Sequence, residues 1–217
     1  MDEKKIYDAA IIGGGLAGLS LAIQLARLNH HVVLFEKEEY PFHKVCGEYI
    51  SMESWVFLET LGVPLSDMQL PQINNLIVTA PNSNALKAKL DLGGFGISRY
   101  KLDAILKDIA VASGVQVLED TKVTDVHFLE EVFTVETYTS QLCFGSFGKR
   151  SNLDIHWKRY FVHHKSNKLS NYVGIKYHIK TKFPADTIAL HNFEDGYCGI
   201  SKIEDDKYCL CYLTNAE

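Results

Sequence analysis

An α/β fold with a first domain split along the chain follows from three features of this 217-residue sequence. A glycine-spaced turn joins an apolar strand to an amphipathic helix near the N-terminus. A hairpin pattern then interrupts the alternation of strand and helix. A second helix–strand stretch follows, and the sequence closes on strands of alternating apolar residues.

The N-terminal stretch carries the most information. Ala9 to Ile12 form a short apolar strand, followed by Gly13, Gly15 and Gly18 in a G-x-G-x-x-G pattern. From Leu16 to Leu28, Leu21, Leu25 and Leu28 recur at helical spacing, flanked by Ala22 and Ala26. Asn29 suits a left-handed stop, and Val32 to Phe35 form a second apolar strand ended by Glu36. Gly13 permits the tight strand-to-helix turn, Gly15 lets the backbone approach a pyrophosphate, and Gly18 lets the helix pack close to the sheet. The free amides at the start of the helix, with its partial positive charge, suit phosphates. Glu36, at the end of the second strand, can accept hydrogen bonds from ribose hydroxyls. Together these features predict a Rossmann-like dinucleotide-binding unit.

The residues after Glu36 favour FAD over NAD. A plain NAD-binding unit continues to another crossover helix and a third parallel strand. Here "EYPFHKVCGEYIS" is rich in turn residues, with Pro41 and Gly47, and an extended segment there can run under a flavin ring system. A helix is expected from Ser51 to Leu61, closed by Gly62. Leu76 to Ala80 and Leu86 to Leu92 alternate apolar residues across "PNSN", which predicts a hairpin. Leu102, Ile105, Leu106 and Ile109 then mark a helix that stops at Gly114, with Ser98 as its cap. Arg99 falls in the first turn, where a cation opposes the helix dipole unless it faces an anion. "VQVLEDTKVTDVHF" reads as strand, turn, strand, and Leu142 to Phe144 as a very short strand.

Composition narrows the function classes. A formal net charge of −5 gives no global signal for nucleic acid. From Lys149 to Lys182 nearly every charge is basic, Asp154 excepted, which reads as a solvated strand face or as a patch for phosphate or anionic lipid headgroups. The five cysteines, at 46, 143, 198, 209 and 211, have no zinc-type spacing, so no metal site is expected. Cys209 and Cys211 share one face of a strand, which suggests core packing. The adjacent pairs His30–His31 and His163–His164 point their side chains apart and make poor metal sites. The opening "MDEKK" is unlike a signal peptide, and no apolar run reaches the length of about 18 residues that a membrane span needs. A reducing cytoplasm is the expected location.

The stretches "IIGGGLAGLSLAIQLARLNHHVVLFEK", "KVCGEYIS", "GISRYKLDAIL" and "GSFGKRSNLD" resemble the flavoprotein superfamily of p-hydroxybenzoate hydroxylase, within it the branch of geranylgeranyl reductases. "NYVGIKYHI" and "GYCGISKIEDDKYCLCYLT" resemble strands of that branch's substrate domain. The resemblance implies FAD contacts at Gly13, Gly15, Leu16, Ala17, Gly18, Glu36, Lys37, Lys44, Cys46, Gly47, Arg99 and Val123. It implies that Cys46 and Glu48 face cofactor or substrate as catalytic candidates. A buried core thiol is the other reading of Cys46. NAD(P)H would dock transiently as electron donor, or a redox partner would supply electrons. The implied substrate is a small or lipid-like molecule such as an isoprenoid, with peripheral membrane contact, and the implied reaction is double-bond reduction. Aromatic hydroxylation and halogenation belong to sister branches. The Trp-x-Trp-x-Ile-Pro pattern of flavin halogenases is absent; the only tryptophans are Trp55 and Trp157.

The resemblance also implies a layout. The FAD-binding domain would comprise 1–70 and 98–160, and mainly-β substrate-domain strands would comprise 71–97 and 161–217. The family's later Gly-Asp motif has no counterpart, since the sequence contains no Gly-Asp dipeptide, and Ser146–Phe147 stand where Ala-Asp is usual. The chain is therefore expected to be incomplete at its C-terminus, as a truncated flavoprotein whose non-catalytic character is the third functional alternative.

Overall fold

The computed structural model describes residues 6–149, 151–163 and 172–215. In chain order the elements are β1 (Ile6–Ile12), α1 (Leu16–Arg27), β2 (Val32–Phe35), β3 (Tyr49–Ser51), α2 (Trp55–Thr60), β4 (Gln72–Thr79), β5 (Ala85–Gly96) and α3 (Arg99–Ala112). They continue with β6 (Gln116–Leu118), β7 (Val126–Leu129), β8 (Val132–Val135), β9 (Tyr138–Gly145), α4 (Asn152–His156), α5 (Tyr160–His163), β10 (Tyr172–Ile179), β11 (Thr187–Phe193), β12 (Gly196–Lys202) and β13 (Tyr208–Asn215). The chain forms two compact units. Within the described residues, unit 1 holds 6–42 and 103–163, and unit 2 holds 43–102 and 172–215.

Unit 1 is the split α/β domain. Its six-stranded sheet has the order β6-β2-β1-β9-β8-β7. The first four strands are parallel, and β9, β8 and β7 form an antiparallel meander. Helix α1 crosses from β1 to β2, burying Gly18, Leu19, Ala22 and Ile23. It ends where Asn29 takes the left-handed conformation (φ 66) that the sequence pattern predicts. The return to the third parallel strand, β6, comes only after the excursion 43–102. That interruption is what the turn-rich stretch after Glu36 announces. Tyr7, Ala10, Ile12, Val33, Phe35, Val123, Val135 and Leu153 form a buried apolar cluster in this unit.

Unit 2 is a seven-stranded sheet in the order β10-β13-β12-β11-β4-β5-β3. All its pairings are antiparallel except β11 with β4. The expected hairpin is present, with Val78 opposite Leu86 and Thr79 opposite Ala85.

Three local expectations differ from the structure. The strand around Leu142–Phe144 is not short: β9 has 8 residues, pairing with β8 at its start and with β1 over most of its length. Polar Thr139, Ser140 and Gln141 hide it from a reading based on apolar runs, yet Thr139 and Ser140 are buried. The helix expected over Ser51–Leu61 reduces to a 3₁₀ turn at Met52–Ser54 and the 6-residue α2, because Ser51 ends strand β3. The unit boundary lies at Phe42/His43, not near residue 70, because β3 pairs with β5 in the second sheet.

Helix α3 starts as predicted. The Lys101 backbone N–H donates to Ser98 Oγ (3.1 Å), the geometry of an N-cap. The Ser98 N–H donates to the Glu204 carboxylate (2.8 Å), and the Ser98 hydroxyl donates to the same group. Ser98→Ala removes the cap and one of two donors to Glu204. It is expected to lower the unfolding free energy by about 1–2 kcal/mol, read as a shift in the urea midpoint with an unchanged slope.

Candidate functional site

In unit 1 the glycine turn is built by exclusion of side chains. Gly13 sits at φ +106, and a Cβ there would lie 2.6 Å from the Ser146 carbonyl oxygen. A Cβ on Gly18 would collide with the Gly13 carbonyl oxygen and lie 2.6 Å from Ser146 Oγ. Ser146 fastens the turn to the end of β9. Its N–H donates to the Ile12 carbonyl (2.8 Å) and its hydroxyl to the Gly13 carbonyl (2.7 Å). Gly15 is the N-cap of α1, in extended conformation and with no side-chain cap. The first turn, Leu16, Ala17 and Gly18, therefore starts without a polar side chain of its own over its amides.

Glu36 closes this centre. It is buried, its Oε2 accepts the Gly14 N–H (2.9 Å), and its Oε1 accepts the Glu38 N–H (3.2 Å). Each oxygen of the carboxylate thus holds one backbone donor, which leaves acceptor capacity for hydroxyl groups. The Tyr40 hydroxyl donates to the Gly14 carbonyl, and the Tyr40 N–H donates to Glu119 Oε2 (2.7 Å). Lys37 is exposed, with its ammonium 3.5 Å from Glu38 Oε1. Val123 lies in the β6–β7 connection and not on a strand. Its side chain joins the buried cluster, and its carbonyl accepts the Asn152 Nδ2–H (3.1 Å). Sequence reasoning misses Ser146 and Tyr40, since a serine after a strand and a tyrosine before a proline carry no motif.

Unit 2 holds the other group of candidates: Lys44, Cys46, Gly47, Glu48 and Arg99. Glu48 is at φ 56, and its side chain is fully buried. Its Oε1 accepts Lys176 Nζ (2.6 Å) and the Arg99 backbone N–H (2.9 Å). Its Oε2 lies 2.6 Å from His178 Nε2. The carboxylate expected to face cofactor or substrate instead turns inward, because Lys176, His178 and the Arg99 amide meet it there. Lys176 belongs to the basic stretch with two open readings, a solvated face or an anion patch, and fits neither, being only 5% exposed at its side chain. It and His178 alternate on β10 in "IKYHI", so they share one face. That spacing is the one sequence signal that could have found them.

The "KVCGE" turn is tied down residue by residue. The Glu48 N–H donates to Cys46 Sγ (3.4 Å) and the Cys209 thiol to the Cys46 carbonyl (3.3 Å). The Ser201 hydroxyl donates to the Gly47 carbonyl (3.4 Å), and the Ile97 N–H donates to the Glu48 carbonyl (3.2 Å). A cavity of about 120 Å³ opens beside the turn. Cys46, Gly47, Ile188, Leu190, Ile200 and Cys211 are among its walls. Burial raises the Cys209, Cys211 and Cys198 thiols above the usual range, and in unit 1 it pushes Cys143 up to about 11. Such thiols stay protonated and unreactive at neutral pH. Among the described residues no group of three His, Cys, Asp or Glu is arranged to hold a metal, and no helix is long and apolar enough to cross a membrane.

Comparison with known proteins agrees with the architecture. Residues 11–45 match the family model of the NAD(P)-binding Rossmann-like domain. Conditioned medium factor receptor 1 of Dictyostelium discoideum is 30% identical over 141 residues, 58% of this chain and 28% of that protein. L-amino acid dehydrogenase of Synechocystis is 30% identical over 103 residues, 47% of this chain and 21% of that protein. Among solved structures, flavin-dependent brominase Bmp2 superposes with a TM-score of 0.75 at 19% identity, covering 98% of this chain and 56% of the brominase. A flavoprotein/dehydrogenase from Cytophaga hutchinsonii gives 0.75 at 17% identity, covering 98% and 56%. Halogenase PltM in complex with phloroglucinol and FAD gives 0.75 at 14% identity, covering 96% and 52%. The chain spans about a quarter of the curated relatives' length and about half that of the solved structures. The chain therefore has a mixed α/β fold like that of these solved flavoproteins, and residues 11–45 match a Rossmann-like family model.

Proposed function

We propose that this chain is part of an FAD-dependent oxidoreductase and that the glycine turn of unit 1 holds the dinucleotide. The observation that carries the reading is the pairing of a turn with glycine at 13, 14, 15 and 18, where Cβ atoms at 13, 14 and 18 would clash, with a buried carboxylate, Glu36, that retains acceptor capacity. The residues fit the group. Amides of Leu16 and Ala17 at the uncapped start of α1 suit the pyrophosphate, and Glu36 suits the ribose hydroxyls. Lys37 and the backbone around Val123 would flank the adenosine half. Lys44, Cys46, Gly47 and Arg99 would serve the flavin half. FAD, when bound, supplies the two-electron exchange, and the protein supplies orientation and exclusion of water. NAD(P)H as a transient donor, or a redox partner, is the source of electrons.

The substrate reading is a small lipid-like molecule, with an isoprenoid double bond as the group reduced. It is supported by the "KVCGE" resemblance and by the aliphatic walls of the cavity beside it, Ile188, Leu190 and Ile200. Peripheral membrane contact and a cytoplasmic site go with that substrate. The second reading, an aromatic halogenase or monooxygenase, is favoured by the fold that the chain shares with Bmp2 and PltM. Oxygen uptake by the reduced flavoprotein that depends on a phenolic substrate separates the two, since an alkene reductase shows none.

The cofactor assignment is tested by titrating FAD into the purified chain and following quenching of flavin fluorescence. Saturable quenching is expected. Glu36→Gln is expected to weaken it about ten- to a hundredfold, the effect of losing charge-assisted bonds to hydroxyls. Quenching that never saturates, or that Glu36→Gln leaves unchanged, contradicts the assignment. Cys46→Ala is expected to leave the melting temperature nearly unchanged and to shift the bound flavin's absorbance. An unaltered spectrum makes Cys46 a packing residue only.

A further inference from the structure

Unit 1 has a cavity of about 500 Å³ whose walls, among the described residues, include neither Glu36 nor the Gly13–Gly18 turn. A volume of this size suits a small organic molecule. Five of its walls are aromatic: Phe128 and Phe133 from the β7–β8 hairpin, Phe147 after β9, Trp157 at the end of α4 and Phe161 in α5. Two pairs of rings touch. Phe128 and Phe133 are tilted with centroids 4.6 Å apart, and Phe147 meets Trp157 edge-on at 6.4 Å. Phe128 and Phe161 are 62% and 51% exposed, so ring surface at the cavity still faces water.

One wall differs in kind. Asp154 is the single acid of the basic stretch Lys149–Lys182, and it lines the cavity with only 7% of its surface exposed. Its charge is answered by Arg159. The Arg159 Nε lies 3.5 Å from Asp154 Oδ1, and the guanidinium stands 5.3 Å from the centre of the Trp157 ring. That contact is an ion pair and too long for a good hydrogen bond. Beyond it, no N–H or O–H of the described residues donates to the Asp154 carboxylate. The backbone keeps acid, ring and cation on one turn, since the Arg159 N–H donates to the Asp154 carbonyl (3.1 Å) and the Trp157 N–H to the Leu153 carbonyl (2.8 Å).

Charge is thus balanced at this wall, while acceptor capacity is left over. An anion would be repelled by Asp154, and a cation would compete with Arg159. A neutral donor satisfies the carboxylate and leaves the ion pair in place, and an aromatic ring that carries the donor packs against rings on several sides. We propose that this cavity binds an uncharged fused aromatic molecule with a ring N–H or hydroxyl group, Asp154 accepting the donor and Phe133, Phe147 and Trp157 packing on the ring. The proposal does not rest on reading the glycine turn as a dinucleotide site.

The test uses indole and benzofuran, which share a shape and carry an N–H and a ring oxygen at the same position. Each is titrated into the nitrogen-labelled full chain without FAD, and NMR follows the side-chain N–H signals of the two tryptophans. Trp55→Phe identifies the signal that belongs to Trp157. Indole is expected to shift the Trp157 signal saturably and to leave that of Trp55 in place. Benzofuran is expected to bind about tenfold more weakly, the cost of covering a carboxylate without giving it a donor. Asp154→Leu removes the acceptor at similar volume. It is expected to bring the two ligands within about twofold of each other. Indole that never saturates, a shift confined to Trp55, or equal affinities in the native chain overturn the proposal. So does an undiminished gap in Asp154→Leu. If that variant does not fold, the native-chain comparison of the two ligands decides. Excess FAD is expected to leave the indole titration unchanged; competition makes the cavity part of the dinucleotide site and overturns the proposal. A chain that binds no FAD still gives a readable indole titration, so the two readings fail separately.

Discussion

A carboxylate sealed from water has to be met by cations and donors in the same place, and unit 2 is arranged around meeting that demand at Glu48. Leaving one such charge unmatched costs about 3–5 kcal/mol, so strand register and turn geometry follow from it. The long side chains of Lys176 and His178 reach inward from β10, an edge strand of the sheet. Directly opposite them on β13 are Cys211 and Cys209. Thiols are small and weak donors, so they leave room for the longer side chains of Lys176 and His178. The start of α3 adds the Arg99 amide from the other side of the carboxylate, where the positive end of the helix dipole favours an anion. Arg99 therefore sits in a first turn whose dipole is already answered by Glu48.

Unit 1 meets a related demand by the opposite means. Where unit 2 fills the space around its carboxylate, the turn that Glu36 closes has glycine at 13, 14 and 15. Glu36 is held by two backbone amides and by no cation among the described contacts. The two glutamates consequently differ in what they can still do. Glu36 keeps acceptor capacity, which suits a ligand with hydroxyl groups. Glu48 has both oxygens committed to residues of its own unit, which suits a role in holding shape.

Much of unit 1 was legible in the sequence because each decisive residue acts on its near neighbours. The glycine spacing, Asn29 as a stop and Glu36 at a strand end are local patterns with local causes, whereas the recurrence of Leu21, Leu25 and Leu28 marks the helix but not its buried face, which is Gly18, Leu19, Ala22 and Ile23, with Leu28 exposed. The β4–β5 hairpin and the cap at Ser98 were legible for the same reason. The parts that were not legible depend on residues far apart. Strand β9 is buried by pairing with β1 and β8, not by an apolar run of its own. Ser146 finds Gly13 across 133 positions, and Glu48 finds Lys176 across 128. Nothing in "IKYHI" alone says that its lysine is buried. Lys176 departs from the charged-surface reading of Lys149–Lys182 because the acid that pairs with it lies in a distant turn, while Lys158, Arg159, Lys180 and Lys182 are exposed.

The backbone at Glu48 sharpens the distinction between a shape-holding and a ligand-facing residue. At φ 56, glycine is the residue with least strain, and the neighbouring position 47 already carries one. A side chain persists at such a position only where its interactions outweigh a backbone cost of about 1 kcal/mol or more. Three donors converge on this one. Gly47, in contrast, meets nothing within 4 Å where a Cβ would stand. The crowding that makes Gly13 and Gly18 obligatory is therefore absent from this unit's own packing at Gly47. The turn is open at Gly47, beside the half-buried Cys46. The "KVCGE" turn is thus two-sided: Glu48 reaches inward to fix it, and Cys46 and Gly47 form the surface that is fixed.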